Sequence, residues 1–121
     1  MEVFVPKIFK VVLIHFVLSI IILFSENVAY AGSSDPGYIT GIVVGNGGML
    51  YFYSTGVREQ QAACATLGGR YVLNASTLGG QSIMSTILAA YVTHQKVSVI
   101  GTGACAIWGD SESVSMVIYS N

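Results

Sequence analysis

The stretch "SIMSTILAAYVTHQKVSVIG" (residues 82–101) changes its hydrophobic period part-way along its length. Its first part places apolar residues three and four positions apart, which is typical of an amphipathic helix. Beyond "HQK", Val97 and Val99 alternate with a serine, and a period of two is typical of a strand with one buried face. The stretch therefore predicts a helix that leads directly into a strand. The predicted apolar stripe of the helix consists of Ile83, Met84, Ile87, Leu88, Tyr91 and Val92.

Further predicted strands lie on both sides of this helix. They are "YITGIVVG" (38–45), "MLYFYSTG" (49–56), "RYVLN" (70–74) and, after the helix, "ESVSMVIYS" (112–120), in which Val114, Met116 and Ile118 alternate. Asn-Gly between the first two strands is a strong hairpin signal. The order predicts an α+β, mainly β, fold: a small five-stranded OB-fold-like barrel with one helix between strands 3 and 4. Other small α+β sandwiches share this order.

The segment "GTGACAIWGDSES" (101–113) joins the last two predicted strands. Its carboxylates, Asp110 and Glu112, could hold a cation or act in acid–base chemistry, but a solvated turn is the favoured interpretation. His94 falls in the last turn of the helix, where a histidine complements the helix dipole. Since no nucleophile, base and acid come together in sequence, we predict a protein that is not an enzyme, with no catalytic residues, metal or cofactor.

The N-terminal residues have the pattern of a secretory signal peptide. Lys7 and Lys10 precede the apolar run "VVLIHFVLSIIILF" (11–24), and small residues follow at "AYA" (29–31). The run is shorter than the roughly 20 residues of a membrane-spanning helix. We expect a signal peptide over 1–31, cleaved after Ala31, and a single secreted or periplasmic domain over 32–121 that holds no membrane segment. An uncleaved N-terminal anchor is the alternative.

Charge and cysteine content restrict the function of the predicted mature domain. Its charged residues are Arg58, Arg70 and Lys96 against Asp35, Glu59, Asp110 and Glu112, so clustered basic residues for nucleic acid are missing. An even cysteine count in an exported chain is typical of a disulfide, here Cys64 with Cys105. A zinc site would need C-x-x-C pairs, and a nucleophilic cysteine would need a nearby base. The low charge also favours burial of some surface against other subunits.

Several phrases resemble the B subunits of the subtilase cytotoxin and pertussis-like toxin group, and small exported bacterial relatives of those subunits. They are "DPGYITGIVVG" (35–45), "LYFY" (50–53), "AACAT" (62–66) and residues 82–101, together with "GTGACAIWGDSES". The resemblance implies a secreted OB-fold protein that assembles as a homopentamer, binds cell-surface glycans and accompanies a toxin A subunit.

The resemblance also implies particular site residues. Thr40 matches the hydroxyl that holds a sialic acid carboxylate in that group, and Asp35 lies near a contributing aspartate. We add Tyr38 as a stacking residue for a sugar ring. An aromatic residue that lines the sugar pocket in that group falls on or next to Gly101, and Tyr53 stands in place of a strand cysteine.

Two functions are therefore expected. The first is a non-enzymatic, carbohydrate-binding protein whose glycan-binding residues are Thr40, Tyr38 and Asp35. The second, which Gly101 favours, is a periplasmic structural or assembly protein that has no retained sugar site.

Overall fold

The computed structural model describes residues 6–23 and 30–120 of the 121-residue chain. Its first element is helix α1 (Lys7–Leu23), within the predicted signal peptide. Within the described ranges, no helix is both long and apolar enough to cross a membrane. The predicted signal peptide falls partly outside the described residues, so its cleavage stays a prediction.

The remaining elements form an α+β domain that is mainly sheet. After α1 come β1 (Ser33–Ser34), β2 (Ile39–Val44), β3 (Met49–Ser54), β4 (Arg58–Gln60), β5 (Arg70–Asn74), α2 (Leu78–Thr93), β6 (Val97–Gly101) and β7 (Glu112–Tyr119). The predicted hairpin between β2 and β3 is confirmed, and its turn is a short 3-10 segment in which Gly47 and Gly48 take positive φ angles of 74° and 80°.

The predicted order of long strands and helix is confirmed, but the strand count is not. The described strands form one open seven-stranded sheet in the order β2-β3-β5-β7-β6-β1-β4, rather than a five-stranded barrel. The additional strands, β1 and β4, are two and three polar residues long and so show no hydrophobic period. Only tertiary pairing makes them strands: β1 lies antiparallel to both β4 and β6.

Residues 33–44 run through both β1 and β2 and pair with two different parts of the sheet. The β1 end pairs with β6, whereas β2 pairs antiparallel with β3. Between them, Gly37 and Val97 exchange two backbone hydrogen bonds of 2.9 Å. The segment therefore pairs with strands near both ends of the sheet. It also contains the three predicted glycan-binding residues, Asp35, Tyr38 and Thr40.

Helix α2 covers the apolar face of the sheet. Thr77 caps its start by accepting a 3.0 Å hydrogen bond from the Gly80 amide. Ile87 and Ala90 are buried, and a side chain at Gly80 would collide with the Asn74 carbonyl, so glycine lets helix and sheet approach. The predicted stripe is therefore partly wrong, because the buried face is rotated toward Gly80, Ile87 and Ala90. Leu88, Tyr91 and Val92 of the predicted stripe are exposed.

A bulge in β7 changes which side chains face the core. Val114 and Met116 pair with successive residues of β6, so Ser115 between them has no partner on that strand. One extra residue reverses the inside–outside alternation of a strand. Val114 is buried, but Met116 and Ile118 are 51% and 44% exposed, so the predicted common face of these three residues is wrong.

The predicted disulfide is confirmed. Cys64 and Cys105 are joined, with their Cα atoms 6.1 Å apart, within the normal range. The bond ties the β4–β5 connection to the β6–β7 connection. A backbone hydrogen bond of 3.1 Å from the Thr66 amide to the Asp110 carbonyl joins the same two connections.

Replacing both cysteines with alanine is expected to lower the free energy of unfolding by about 4 kcal/mol, because the bond closes a loop with a sequence separation of 41. Urea unfolding of the oxidised protein and the double variant measures this. Ala63→Ser, at the exposed neighbour of Cys64, is the control and should leave stability almost unchanged. A loss below about 1 kcal/mol for the double variant would contradict the prediction.

Candidate functional site

Two of the predicted glycan-binding residues share one surface. Tyr38 and Thr40 are exposed and stand on either side of Ile39, which points into the core. Since side chains alternate along extended backbone, Tyr38 and Thr40 lie on the outward face. Asp35 is also exposed, and its amide donates a 2.8 Å hydrogen bond to the Val57 carbonyl. We call Asp35, Tyr38, Thr40 and their neighbour Lys96 the surface patch.

Tyr38 is held at its backbone and leaves its ring to solvent. Its amide donates to the Thr55 hydroxyl at 2.9 Å, and its carbonyl accepts from the Thr55 amide at 3.0 Å. The Lys96 ammonium nitrogen lies 5.4 Å from the centre of the Tyr38 ring, within cation–π distance. The patch therefore presents an aromatic ring and a cation together.

Lys96 was missed by the sequence reasoning because it is far from Tyr38 along the chain. The Gly37–Val97 backbone pair brings the two residues together, since each is the immediate neighbour of one member of the pair. Only knowledge of this strand pairing could have indicated the contact.

Thr40 lies at an irregularity of β2. Ile39 pairs with Ser54 and Gly41 with Tyr53, so Thr40 is the additional residue between successive partners. Bulges re-aim side chains and are frequent beside binding sites. The Thr40 hydroxyl makes no described hydrogen bond within residues 6–23 and 30–120.

Gly101 does not belong to the surface patch. It is buried, and a Cβ atom there would overlap the carboxylate of Glu112. The aromatic residue that the toxin resemblance implies at this position has no room here. Glycine at 101 is explained by the interior of the domain rather than by a sugar pocket.

The predicted start of the last strand at Glu112 is confirmed, but the interpretation of its carboxylate as part of a solvated turn is wrong. Glu112 begins β7, and its side chain is fully buried. Oε1 accepts hydrogen bonds from the amides of Gly32 and Gly103 at 2.7 and 2.8 Å, and Oε2 accepts one from the Ala62 amide at 3.3 Å. These three donors offset much of the cost of removing a carboxylate from water.

Arg58 is the cation nearest to this carboxylate. Its Nη1 lies 3.6 Å from Glu112 Oε2, too far for a hydrogen bond, and its side chain is 6% exposed. Its Nη2 donates to the Arg70 carbonyl at 2.8 Å, and the guanidinium carbon stands 3.9 Å over the Tyr71 ring. Among the described residues, Arg58 Nε and Nη1 and the Tyr71 hydroxyl have no hydrogen-bond partner.

Asp110, the other member of the predicted carboxylate pair, takes part in a separate ion pair. Arg70 Nη2 donates to its carboxylate, while Arg70 Nε donates to the Ser111 hydroxyl at 2.6 Å. The hydrogen bond from Arg70 lowers the pKa of Asp110 below its ordinary value of 3.8, against a smaller effect of desolvation. Burial acts to lower the pKa of Arg70, but the interactions of the guanidinium with Asp110 and Tyr53 together outweigh it, so that pKa is raised.

His94 terminates helix α2. It takes the left-handed conformation, with φ 50°, and its amide donates to the Ala90 carbonyl. It was predicted to lie in the last turn of the helix, but it directly follows the helix as an exposed C-cap residue.

No protein-family model matches the chain, and neither the curated proteins nor the solved structures gave a significant match.

The resemblance to toxin B subunits therefore rests on the sequence phrases alone.

Glu112→Gln is expected to lower the free energy of unfolding by about 3 kcal/mol, because Arg58 loses its buried counter-charge. In addition, the glutamine NH2 group would face a backbone N–H, and two donors cannot form a hydrogen bond. Urea unfolding is the measurement. Glu59→Gln, which neutralises an exposed acid beside Arg58, is the matched control. Equal stability of the two variants would show that the buried carboxylate is not a stabilising element.

Asp110→Asn is expected to destabilise the protein at neutral pH but not at low pH. A lowered folded-state pKa contributes stability above the ordinary value of 3.8, and this contribution disappears as pH falls through the folded-state pKa. The urea midpoints of wild type and variant should thus differ at pH 7 and converge on acidification below about pH 4. A difference that stays constant with pH would contradict this assignment.

Proposed function

We propose that this protein is a secreted, non-enzymatic carbohydrate-binding protein that recognises cell-surface glycans through the surface patch. The single observation that carries this is the arrangement of Tyr38 with Lys96: an exposed ring, fixed at its backbone, with an ammonium group 5.4 Å from its centre. Rings of this kind stack on the apolar faces of sugars, and an adjacent cation attracts an acidic sugar.

The patch has separate parts for the separate features of an acidic sugar. The Tyr38 ring provides the stacking surface, Lys96 provides charge for a carboxylate, and the exposed Thr40 hydroxyl can donate a hydrogen bond to it. Asp35 can accept hydrogen bonds from sugar hydroxyl groups. Together these groups match a sialylated or other acidic glycan, which agrees with the toxin resemblance.

We further propose that this open sheet is a variant of the OB-fold, with two short strands added to the five long ones. Support comes from the order β2-β3-β5-β7-β6, from the parallel pairing of β5 with β7, and from the position of α2 between β5 and β6. The Gly37–Val97 bridge adds a contact between β6 and the segment that leads into β2. OB-folds in general bind oligosaccharides on the face formed by their second and third strands and on adjacent loops.

Homopentamer formation and a toxin A subunit as partner are part of the same proposal. Outward apolar side chains are consistent with assembly, since Met116 and Ile118 on β7 are about half exposed. A periplasmic structural or assembly protein is the second candidate, and it is favoured by the burial of Gly101, which leaves the patch without the aromatic wall of a toxin sugar pocket.

Glycan-array binding of the exported protein tests the proposal. Tyr38→Ala is expected to weaken binding about tenfold, because one stacking contact contributes roughly 1 kcal/mol or slightly more. Lys96→Gln should weaken binding of sialylated glycans while sparing neutral ones, and Thr40→Val should act in the same direction.

Tyr91→Ala, at an exposed tyrosine of α2, is the matched control and should bind like wild type. If wild type binds no glycan above background, the carbohydrate function is wrong and the assembly protein becomes the better candidate. Sedimentation then distinguishes a stable ring, which supports the toxin-like assembly, from a monomer.

A further inference from the structure

At the predicted cleavage site, the chain passes from exposed residues to a buried residue. Tyr30 and Ala31 are exposed, whereas Gly32 is buried. The Gly32 nitrogen lies 2.7 Å from Glu112 Oε1, and a Cβ atom at this position would overlap that carboxylate. Glycine therefore brings the first nitrogen of the expected mature chain directly onto a buried carboxylate.

Among the described residues, the hydrogen bonds to the Glu112 carboxylate come from neutral donors only. Its three hydrogen bonds come from backbone amides, and Arg58 stands 3.6 Å away without donating to it. When the donor to a carboxylate also carries a charge, Coulombic attraction is added to the hydrogen bond, and this attraction is stronger in the interior than in water. A positive charge on the Gly32 nitrogen would thus add an ion pair at the existing 2.7 Å contact with Glu112 Oε1.

We propose that Glu112 is the internal receptor for the α-ammonium group of Gly32, so that removal of the leader after Ala31 completes a buried ion network. This inference rests on the export and leader removal that belong to the proposed function, but not on glycan binding.

The step itself is a peptide hydrolysis by an endopeptidase of the signal-peptidase class. Water adds across the bond between the Ala31 carbonyl carbon and the Gly32 nitrogen. The carbon takes the hydroxyl group and becomes a carboxylate by losing a proton, and the nitrogen takes a hydrogen and a proton to become ammonium. One of its N–H groups keeps the bond to Glu112 Oε1, and the side where exposed Ala31 stood is left to water.

The chain offers a direct test because the mature form would contain only two amines, the Gly32 α-amine and the Lys96 side chain. At pH 7 an ordinary α-amine, with a pKa of about 8, reacts with acylating reagents well before lysine, with a pKa of about 10.4. The proposal predicts the reverse order in the folded protein. Mass spectrometry of exported protein treated with an acetylating reagent identifies both the first residue and the order of labelling.

The α-amine should be labelled at least about tenfold more slowly in folded wild type than in the same protein in urea, since pairing lowers its free-base fraction. Comparing wild type with itself makes this result independent of any variant. Glu112→Gln should restore fast labelling, with near-ultraviolet circular dichroism confirming that the variant is folded. Asp110→Asn, which removes the neighbouring acid that pairs with Arg70, should leave the labelling order unchanged.

A first residue other than Gly32 overturns the inference, as does an α-amine that reacts before Lys96 in the folded protein. Either result is distinct from a failure of glycan binding, because the array tests the surface patch and the labelling tests the buried carboxylate.

Discussion

The burial of one carboxylate, that of Glu112, constrains much of this domain. A charged group removed from water needs donors from the protein, and here they come from three segments that are distant in sequence: Gly32, Ala62 and Gly103. The carboxylate thus holds the entry to β1, the β4–β5 connection and the β6–β7 connection around the first residue of β7. Glycine at 32 and 101 follows from the same constraint, because a side chain at either position would occupy its space.

The disulfide strengthens the same region by a different mechanism. Cys64 and Cys105 join two of the connections that also donate to Glu112, through Ala62 and Gly103. The covalent bond limits the unfolded chain, whereas the hydrogen bonds act in the folded state. A domain of this size buries a limited apolar core, so both contributions matter for its stability.

The buried carboxylate and the surface patch are connected by a single stretch of backbone. Residues 33–44 start beside Glu112, pair with β6 at Gly37 and Val97, and then present Tyr38 and Thr40 outward. The position of the patch therefore depends on how firmly the start of this segment is held. The surface patch and the buried carboxylate are thus physically linked through residues 33–44.

The sequence by itself determined the elements whose signals are local. Hydrophobic period marked the long strands and α2, Asn-Gly marked the β2–β3 hairpin, and an even cysteine count marked the Cys64–Cys105 bond. Only the tertiary structure decided the burial of Glu112, the contact of Lys96 with Tyr38 and the reversal of β7 at Ser115. Each of these depends on which distant backbone lies alongside, and a pattern of neighbouring residues carries no information about that pairing.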